Sequence, residues 1–341
     1  MTKSKYSRRD FFKLSAVSLG LFSLLPSSDL FGEKLKTSLV LVGRKEGVSI
    51  HKLPSDESII MYQRNFNDII NVYYDVISDD GPAWNPLWYR VWGGYVHSGN
   101  VVEVKHLLNR VNTDVKDTGQ LAEVTVPYTR SWFFNRLQGW SPKYRLYYGS
   151  IHWVMDVIEG PGNRPWYKIK DELSSVELGV PAEHLRFIKD EELSPISADV
   201  PEGKKRIEVS LAYQNLKAFE GDTVVRDVKI SSGIPVKPTQ TPAGTFRIKT
   251  KMPSKHMGDG NLTDNIYAYE LMGVPWNCFF QMEDGIATHG TYWHTNFGMP
   301  MSKGCINLSI EEAKWLYRWT YPIATSDDWA KHGFGTEIKI T

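Results

Sequence analysis

The chain has 341 residues, with 40 Lys/Arg against 39 Asp/Glu and a formal charge of +1. That length predicts two or three domains, and the even charge balance gives no support for nucleic-acid binding, which draws on a basic face. Its 12 Trp and 17 Tyr are enough to fill several small β cores, or to line grooves for extended or sugar-bearing ligands.

Residues 1–32 read as an export segment outside the fold. Ser7-Arg8-Arg9-Asp10-Phe11-Phe12-Lys13 stands before a short apolar run, Leu14 to Leu25. The run falls short of the ~20 apolar residues that span a bilayer, but it suits the apolar part of a signal. The arginine pair resembles a twin-arginine export signal. That resemblance implies a bacterial source, export after folding, and an extracytoplasmic location in the cell wall or periplasm. No Ala-x-Ala site follows, and Pro26-Ser27-Ser28 is the small-residue candidate for cleavage. An uncleaved segment would be the chain's one membrane contact.

Residues 35–105 predict a small all-β module. Short β-branched and aromatic runs such as Val48-Ser49-Ile50 and Ile69-Ile70-Asn71-Val72-Tyr73 alternate with turns at Leu53-Pro54-Ser55 and Asp79-Asp80-Gly81-Pro82. Residues 121–190 repeat the pattern loosely. Asn163-Arg164-Pro165-Trp166-Tyr167-Lys168-Ile169 echoes Asn85-Pro86-Leu87-Trp88-Tyr89-Arg90-Val91, and a glycine-led strand follows each. Paired modules with a Trp-Tyr strand resemble bacterial SH3-like domains, which implies a wall or glycan partner. Aromatic-packed β spacers explain the same residues. Polar Arg110 to Gly119 reads as a linker between them, and Glu191 to Lys205, rich in Ser, Pro and charge, as a second boundary.

The last domain is expected over 203–341. Arg206-Ile207-Glu208-Val209-Ser210-Leu211 alternates as a strand, Gln214-Asn215 turns, and Leu216-Lys217-Ala218-Phe219 returns. Met252 to Trp276 reads as a long irregular segment, and loops of that length are usually functional or disordered. Ser309 with Glu312 three residues on predicts a capping box for a helix through Trp319. Gly335 to Ile340 is a closing strand.

The chemistry concentrates between His289 and Leu308. A cysteine nucleophile needs a base, a group to orient that base, and backbone N–H groups for the oxyanion. His289 is the candidate base and Cys305 the candidate nucleophile. Gly304 lets the backbone approach a carbonyl closely, and the N–H groups of Gly304 and Cys305 are candidate oxyanion donors. The other cysteine, Cys278, sits in an apolar run and reads as a core thiol, so two free thiols are expected. A Cys278–Cys305 disulfide, the extracytoplasmic default, would remove the nucleophile. Cys305, His289 and His294 do not make a closed zinc set, so no metal or organic cofactor is expected.

His289-Gly290-Thr291 followed by Ser302-Lys303-Gly304-Cys305-Ile306-Asn307 resembles the signature of the L,D-transpeptidase catalytic domain of YkuD type. Thr241-Pro242-Ala243-Gly244-Thr245-Phe246 resembles that family's Thr-Pro-x-Gly-x-Phe turn. The resemblance implies a mainly β chain, with two SH3-like β-barrel modules followed by a β-sandwich catalytic domain holding one or two helices. It also implies a peptidoglycan cross-linking enzyme that forms a Cys305 thioester on one stem peptide and resolves it with a second, giving a 3→3 link. With water as acceptor the activity becomes that of an L,D-carboxypeptidase. Gly290, Ser302, Gly304 and Lys303 fall at orienting or oxyanion positions. Tyr292, Trp293 and Asn307 would shape the pocket, while a lid over 252–276 would bring His256, Met257 and Tyr269 to the substrate. Lys303 stands where the family has a histidine. Its charge beside Cys305 would favour the thiolate, or it marks a non-catalytic wall-binding protein. A cysteine peptidase with SH3-like modules places Cys before His, and only His332 follows Cys305.

Overall fold

The computed structural model describes residues 38–341, so the expected export segment and the first residues of the module expected from 35 lie outside the described residues. Twenty-five strands in five sheets dominate, and the described residues hold one α-helix, α1 (Ile310–Trp319). No helix among the described residues is long and apolar enough to cross a membrane.

The first eight strands are β1 (Ser38–Val42), β2 (Val48–His51), β3 (Ile60–Arg64), β4 (Ile69–Val72), β5 (Tyr74–Ile77), β6 (Leu87–Val91), β7 (Gly94–His97) and β8 (Val101–Val104). They form a three-stranded sheet, β4-β1-β8, and a five-stranded one, β3-β2-β7-β6-β5. Their apolar residues fall at every second position, as in Val40 and Val42, Ile70 and Val72, Tyr89 and Val91. Period 2 turns all of these into one core.

Seven strands follow in a single sheet: β9 (Gln120–Val124), β10 (Tyr128–Asn135), β11 (Gly139–Tyr147), β12 (Ile151–Gly160), β13 (Arg164–Lys170), β14 (Glu177–Pro181) and β15 (Leu185–Phe187), in the order β11-β10-β14-β13-β12-β9-β15. The sequence echo has a structural counterpart. Trp88 lies on the middle strand of the meander β5-β6-β7 and Trp166 on that of β12-β13-β14, both buried. Beyond that meander the two sheet arrangements diverge.

The last part holds β16 (Lys205–Ser210), β17 (Asn215–Glu220), β18 (Thr223–Lys229), β19 (Gly244–Arg247), β20 (Thr250–Gly258), β21 (Glu270–Gln281), β22 (Ile286–Gly290), β23 (Ile306–Leu308), β24 (Lys331–His332) and β25 (Glu337–Ile340). Two five-stranded sheets, β18-β17-β16-β25-β19 and β23-β22-β21-β20-β24, enclose one core with α1. Ile207, Leu216 and Ile338 enter it from the first sheet, Trp276, Phe280 and Ile306 from the second, and Leu316 from the helix. The helix starts where the capping residues predict: Ser309 Oγ accepts the N–H of Glu312 at 3.2 Å.

That core does not stop at these two sheets and the helix. Leu121, Ile151, Trp153, Ile188 and Leu193 belong to the same buried cluster, and Trp153 stacks on Trp329 at 4.5 Å between ring centroids. The segments read as linkers are bound down accordingly. Lys116 pairs with Asp190 and Asp327 at 2.7 and 3.0 Å. The carbonyl of Thr118 accepts from the Trp329 indole, and Lys205 donates to the carbonyls of Ile196 and Trp319. The expected irregular stretch 252–276 is corrected too. Its ends are the long strands β20 and β21, and only 259–269 is loop.

The first module is held at close quarters. A Cβ on Gly43 would stand 2.2 Å from the Trp293 carbonyl oxygen, so only glycine lets the backbone before β2 come this near. Gly43→Ala is expected to lower stability by about 1–3 kcal/mol through overpacking, read as a lower urea midpoint with native far-UV signal. An unchanged midpoint would show that this contact is not under steric constraint.

Candidate active site

His289 lies on β22, and Cys305 directly precedes β23, the parallel neighbour of that strand. β22 pairs with β23 so that Thr288 faces Ile306, His289 faces Asn307 and Gly290 faces Leu308. Side chains alternate along a strand. Ile306 and Leu308 turn into the core, which leaves Asn307 and His289 on the opposite face. Half-buried Cys305 directly precedes β23, two residues from Asn307. With strands about 4.8 Å apart and a rise of about 3.3 Å per residue, positions 289 and 305 are diagonal neighbours. Cys278 lies opposite Thr288 and is buried in the core. Both cysteines are free.

Burial sets the electrostatics of the pair. It lowers the His289 pKa to about 4, against a raising backbone hydrogen bond to Gly290, and pushes the Cys305 thiol up to about 11, opposed by a backbone hydrogen bond at Ala287. At neutral pH both groups are therefore uncharged. His289 Nδ1 lies 3.1 Å from the Gly290 carbonyl. A neutral ring that donates there carries its proton on Nδ1 and leaves Nε2 as the basic nitrogen. Cys305 Sγ donates to the Gly285 carbonyl at 3.6 Å.

The turn before the cysteine is closed by its own serine. Ser302 Oγ accepts the Gly304 N–H at 3.1 Å and donates to the Cys305 carbonyl at 2.5 Å. Gly304 has φ +127°, a conformation open to glycine. Thr241, from the Thr-Pro-x-Gly turn, accepts the Gly233 N–H and donates to the Gly304 carbonyl, each at 2.8 Å. The expectation that the Gly304 N–H is an oxyanion donor is thus corrected, because Ser302 has taken it.

Several other expected site residues have structural partners. Tyr292 is buried, donates to the Met272 carbonyl at 2.9 Å and stacks on Tyr147. Asn307 is buried, with its amide 2.9 Å from His294 Nε2. His294 Nδ1 accepts the Asn296 N–H, so its own proton is on Nε2 and the amide oxygen must turn toward it. Burial, with His289 nearby, lowers the His294 pKa to about 3. His294 thus shores up Asn307, and no group of three or more His, Cys, Asp or Glu among the described residues could hold a metal.

Lys303 is exposed, and its ammonium lies 3.9 Å above the ring of Tyr269. The thiol is held high by burial, so the expectation that Lys303 favours the thiolate is corrected. Trp293, half-buried with its ring 5.8 Å from His289, and Tyr269 remain open to a ligand. With Tyr292 they line a cavity of about 200 Å³. The far wall comes from residues that no motif marked: Gly43, Lys45 and Phe66 of the first module and Tyr147 of the second.

His256 and Met257 do not belong to a lid surface. Met257 lies on β20 opposite Leu271. His256 is buried, with Nδ1 3.0 Å from Asp171 and Nε2 2.7 Å from Glu270. Its ring also meets the edge of Tyr144, and the Glu172 carboxylate accepts its backbone N–H. Neighbouring His152 stays neutral, lowered by burial to about 3. Burial alone would lower the His256 pKa, but hydrogen bonds and charge from Asp171 and Glu270 outweigh it and raise the value above 6.5. Asp171, raised by burial and lowered more by His256 and Ser174, falls to about 2.

These features define a β-sandwich domain with a buried histidine and a half-buried cysteine at one edge of a sheet. Residues 204–338 match the model of the YkuD family, the L,D-transpeptidase catalytic domain. Similar solved structures include an L,D-transpeptidase of Xylanimonas cellulosilytica DSM 15894, 25% identical, covering 40% of this chain and 60% of that one, with TM-score 0.28. Another is an L,D-transpeptidase from Mycobacterium smegmatis, at 20% identity, 50% and 75% coverage and TM-score 0.32. A third is the catalytic domain of an E. faecium L,D-transpeptidase, at 25% identity, 40% and 96% coverage and TM-score 0.30. The match thus spans about three fifths of the Xylanimonas chain. No curated protein matches the chain.

The His256 cluster generates a pH prediction. Its raised pKa means that its contribution to stability is full below the unfolded value of 6.5 and is lost as pH rises through the folded value. Asp171 is lowered, so its contribution is lost as pH falls from 3.8 toward 2. His256→Gln is expected to cost about 3 kcal/mol at pH 5 and less at pH 8.5, measured by urea unfolding. A cost that grows with pH would sink the assignment of a protonated ring.

Proposed function

We propose that the chain is an extracytoplasmic L,D-transpeptidase that cross-links peptidoglycan through a Cys305 thioester. The observation that supports this most is the parallel register of β22 and β23, which sets a base-competent His289 diagonally beside Cys305. Rotation of the Cys305 side chain moves its hydrogen bond from the Gly285 carbonyl to His289 Nε2. The imidazole then takes the thiol proton as sulfur attacks the carbonyl of the third residue of a stem tetrapeptide. With the Gly304 N–H engaged by Ser302, the Cys305 N–H is the backbone donor for the oxyanion. The imidazolium returns its proton to the leaving D-alanine amine, and the thioester remains. The amine of a second stem peptide attacks it, giving the 3→3 link and restoring the thiol. The two N-terminal modules are read as wall-facing. A groove of about 570 Å³ beside Phe134 and Trp140 offers the second module's aromatic surface for that role.

Incubation with a disaccharide-tetrapeptide, with products read by mass, tests the reading. Parent protein should yield cross-linked dimer and free D-alanine. Cys305→Ala should yield neither, and His289→Ala less than a hundredth of the parent rate. Undiminished D-alanine release by Cys305→Ala would eliminate the nucleophile.

The pair's protonation gives a separate expectation. The reacting form has neutral imidazole, so kcat/KM should fall on the acid side with a midpoint near 4 instead of the usual 6.5. An acid limb at 6 to 7 would show His289 to be solvated, against its burial.

A further inference from the structure

Two lysines meet at the mouth of the site with no carboxylate holding them. Lys45, from the turn between β1 and β2, reaches the 259–269 loop and donates to the carbonyls of Tyr267 and Ala268 at 2.6 and 3.3 Å. An ammonium has three N–H donors, so one is left. Lys303, two residues before Cys305, holds its ammonium over the Tyr269 ring. Among the described residues neither lysine is in an ion pair. The nearby acids are committed elsewhere: Glu46 lies 3.7 Å from Arg44, and Glu270 accepts from His256, Gly260 and Asn261. Burial lowers the Lys45 pKa, Glu46 partly offsets this, and the charge of Lys303 lowers it further. Tyr269, raised mainly by burial, is also electrostatically coupled to the Cys305 sulfur. The lysines, the tyrosine and the sulfur thus share one neighbourhood, beside the cavity lined by Lys45, Tyr269 and Trp293.

We propose that Lys45 and Lys303 form a cationic rim that binds a carboxylate of the acyl-donor peptide, making them specificity-determining residues. This rests on the transpeptidase reading above. Two like charges in one neighbourhood, neither in an ion pair, repel each other, and an anion seated between them relieves that repulsion. The Tyr269 and Trp293 rings flank the spot with apolar surface, where solvent screens the attraction less. A stem tetrapeptide offers two carboxylates near the reacting carbonyl: the terminal one on the leaving residue, and one on the side chain of the third residue where that residue is a diamino diacid. The shared chemistry is a peptide carboxylate within about one residue of the scissile bond. The rim also gives Lys303 a task at the position where the family carries a histidine, and makes the first module part of the substrate site.

Calorimetry on the full chain carrying Cys305→Ala tests the rim without any need for turnover. Three synthetic donor peptides serve as probes: the free diacid, its side-chain amide and its C-terminal amide. One of the two amides should bind at least tenfold more weakly than the diacid, and its position identifies the carboxylate. Adding Lys45→Gln or Lys303→Gln should shrink that preference to threefold or less. Lys45→Arg and Lys303→Arg should keep it, and raising salt should erode it. A loop-bracing role for Lys45 would leave the acid-to-amide ratio unmoved. Equal affinity for all three peptides, binding of none, or an intact preference in both Gln variants would overturn the proposal. Peptide binding with this preference, but no D-alanine release by parent protein, would instead count against the acyl-transfer reading and leave the rim standing.

Discussion

A histidine ring closed in between two carboxylates is tolerable only while it carries the proton that both of them need. His256 meets that condition: Asp171 and Glu270 take its two N–H groups. The remaining carboxylate lone pairs accept from Ser174, Gly260 and Asn261. A buried charge cluster is stabilising only when every member is satisfied in this way. Its placement matters as much as its energy. Asp171 directly follows β13, His256 is on β20 and Glu270 opens β21, so the cluster bolts the second module to the hairpin. β22 is laid down on β21, and β23 on β22. The cysteine and the histidine inherit their positions from that stack.

Desolvation sets the protonation of the proposed pair. Burial lowers the imidazole and raises the thiol, so the pair is neutral at rest, and the proposed mechanism exchanges its proton only as the reaction begins. An exposed ion pair of the same residues would start with a thiolate of lower intrinsic nucleophilicity. A lysine two positions from the sulfur could have shifted that balance. Its ammonium rests instead on the π face of Tyr269, a favourable seat for a cation. The charge is thereby offered to whatever enters above the cysteine.

What the sequence disclosed was local. The Ser309/Glu312 box starts α1, the alternation of Arg206 to Ser210 makes β16, and the spacing from His289 to Asn307 brings the pair onto adjacent strands. What stayed hidden depends on contacts between distant residues. Asp171 meets His256 across 85 positions, and Lys45 meets Tyr267 across 222, and no periodicity encodes either. The segment 252–276 misled because Gly258, Gly260, Gly273 and Pro275 look like loop chemistry. Yet β20 and β21 run through all three of Gly258, Gly273 and Pro275, with Gly258 paired to Glu270, Pro275 to Ser254, and Gly273 at the one shift of register. Trp276 (φ +61°) and Gly273 (φ +68°) distort β21 without ending it.

The signature residues themselves divide into two kinds of work. Ser302 closes the turn, Thr241 clamps the Gly304 carbonyl, Tyr292 spends its hydroxyl on the Met272 carbonyl, and Asn307 meets His294 with one of its two amide atoms. A side chain whose hydrogen bonds are made internally has little left for a substrate, so Ser302, Thr241 and Tyr292 hold geometry. The surfaces left open lie outside those residues: the Trp293 and Tyr269 rings, and the wall that the first module closes at Gly43. It follows that a catalytic domain cut free at residue 204 would keep the proposed pair yet lose one side of its cavity, and with it the grip of Asp171 on β20.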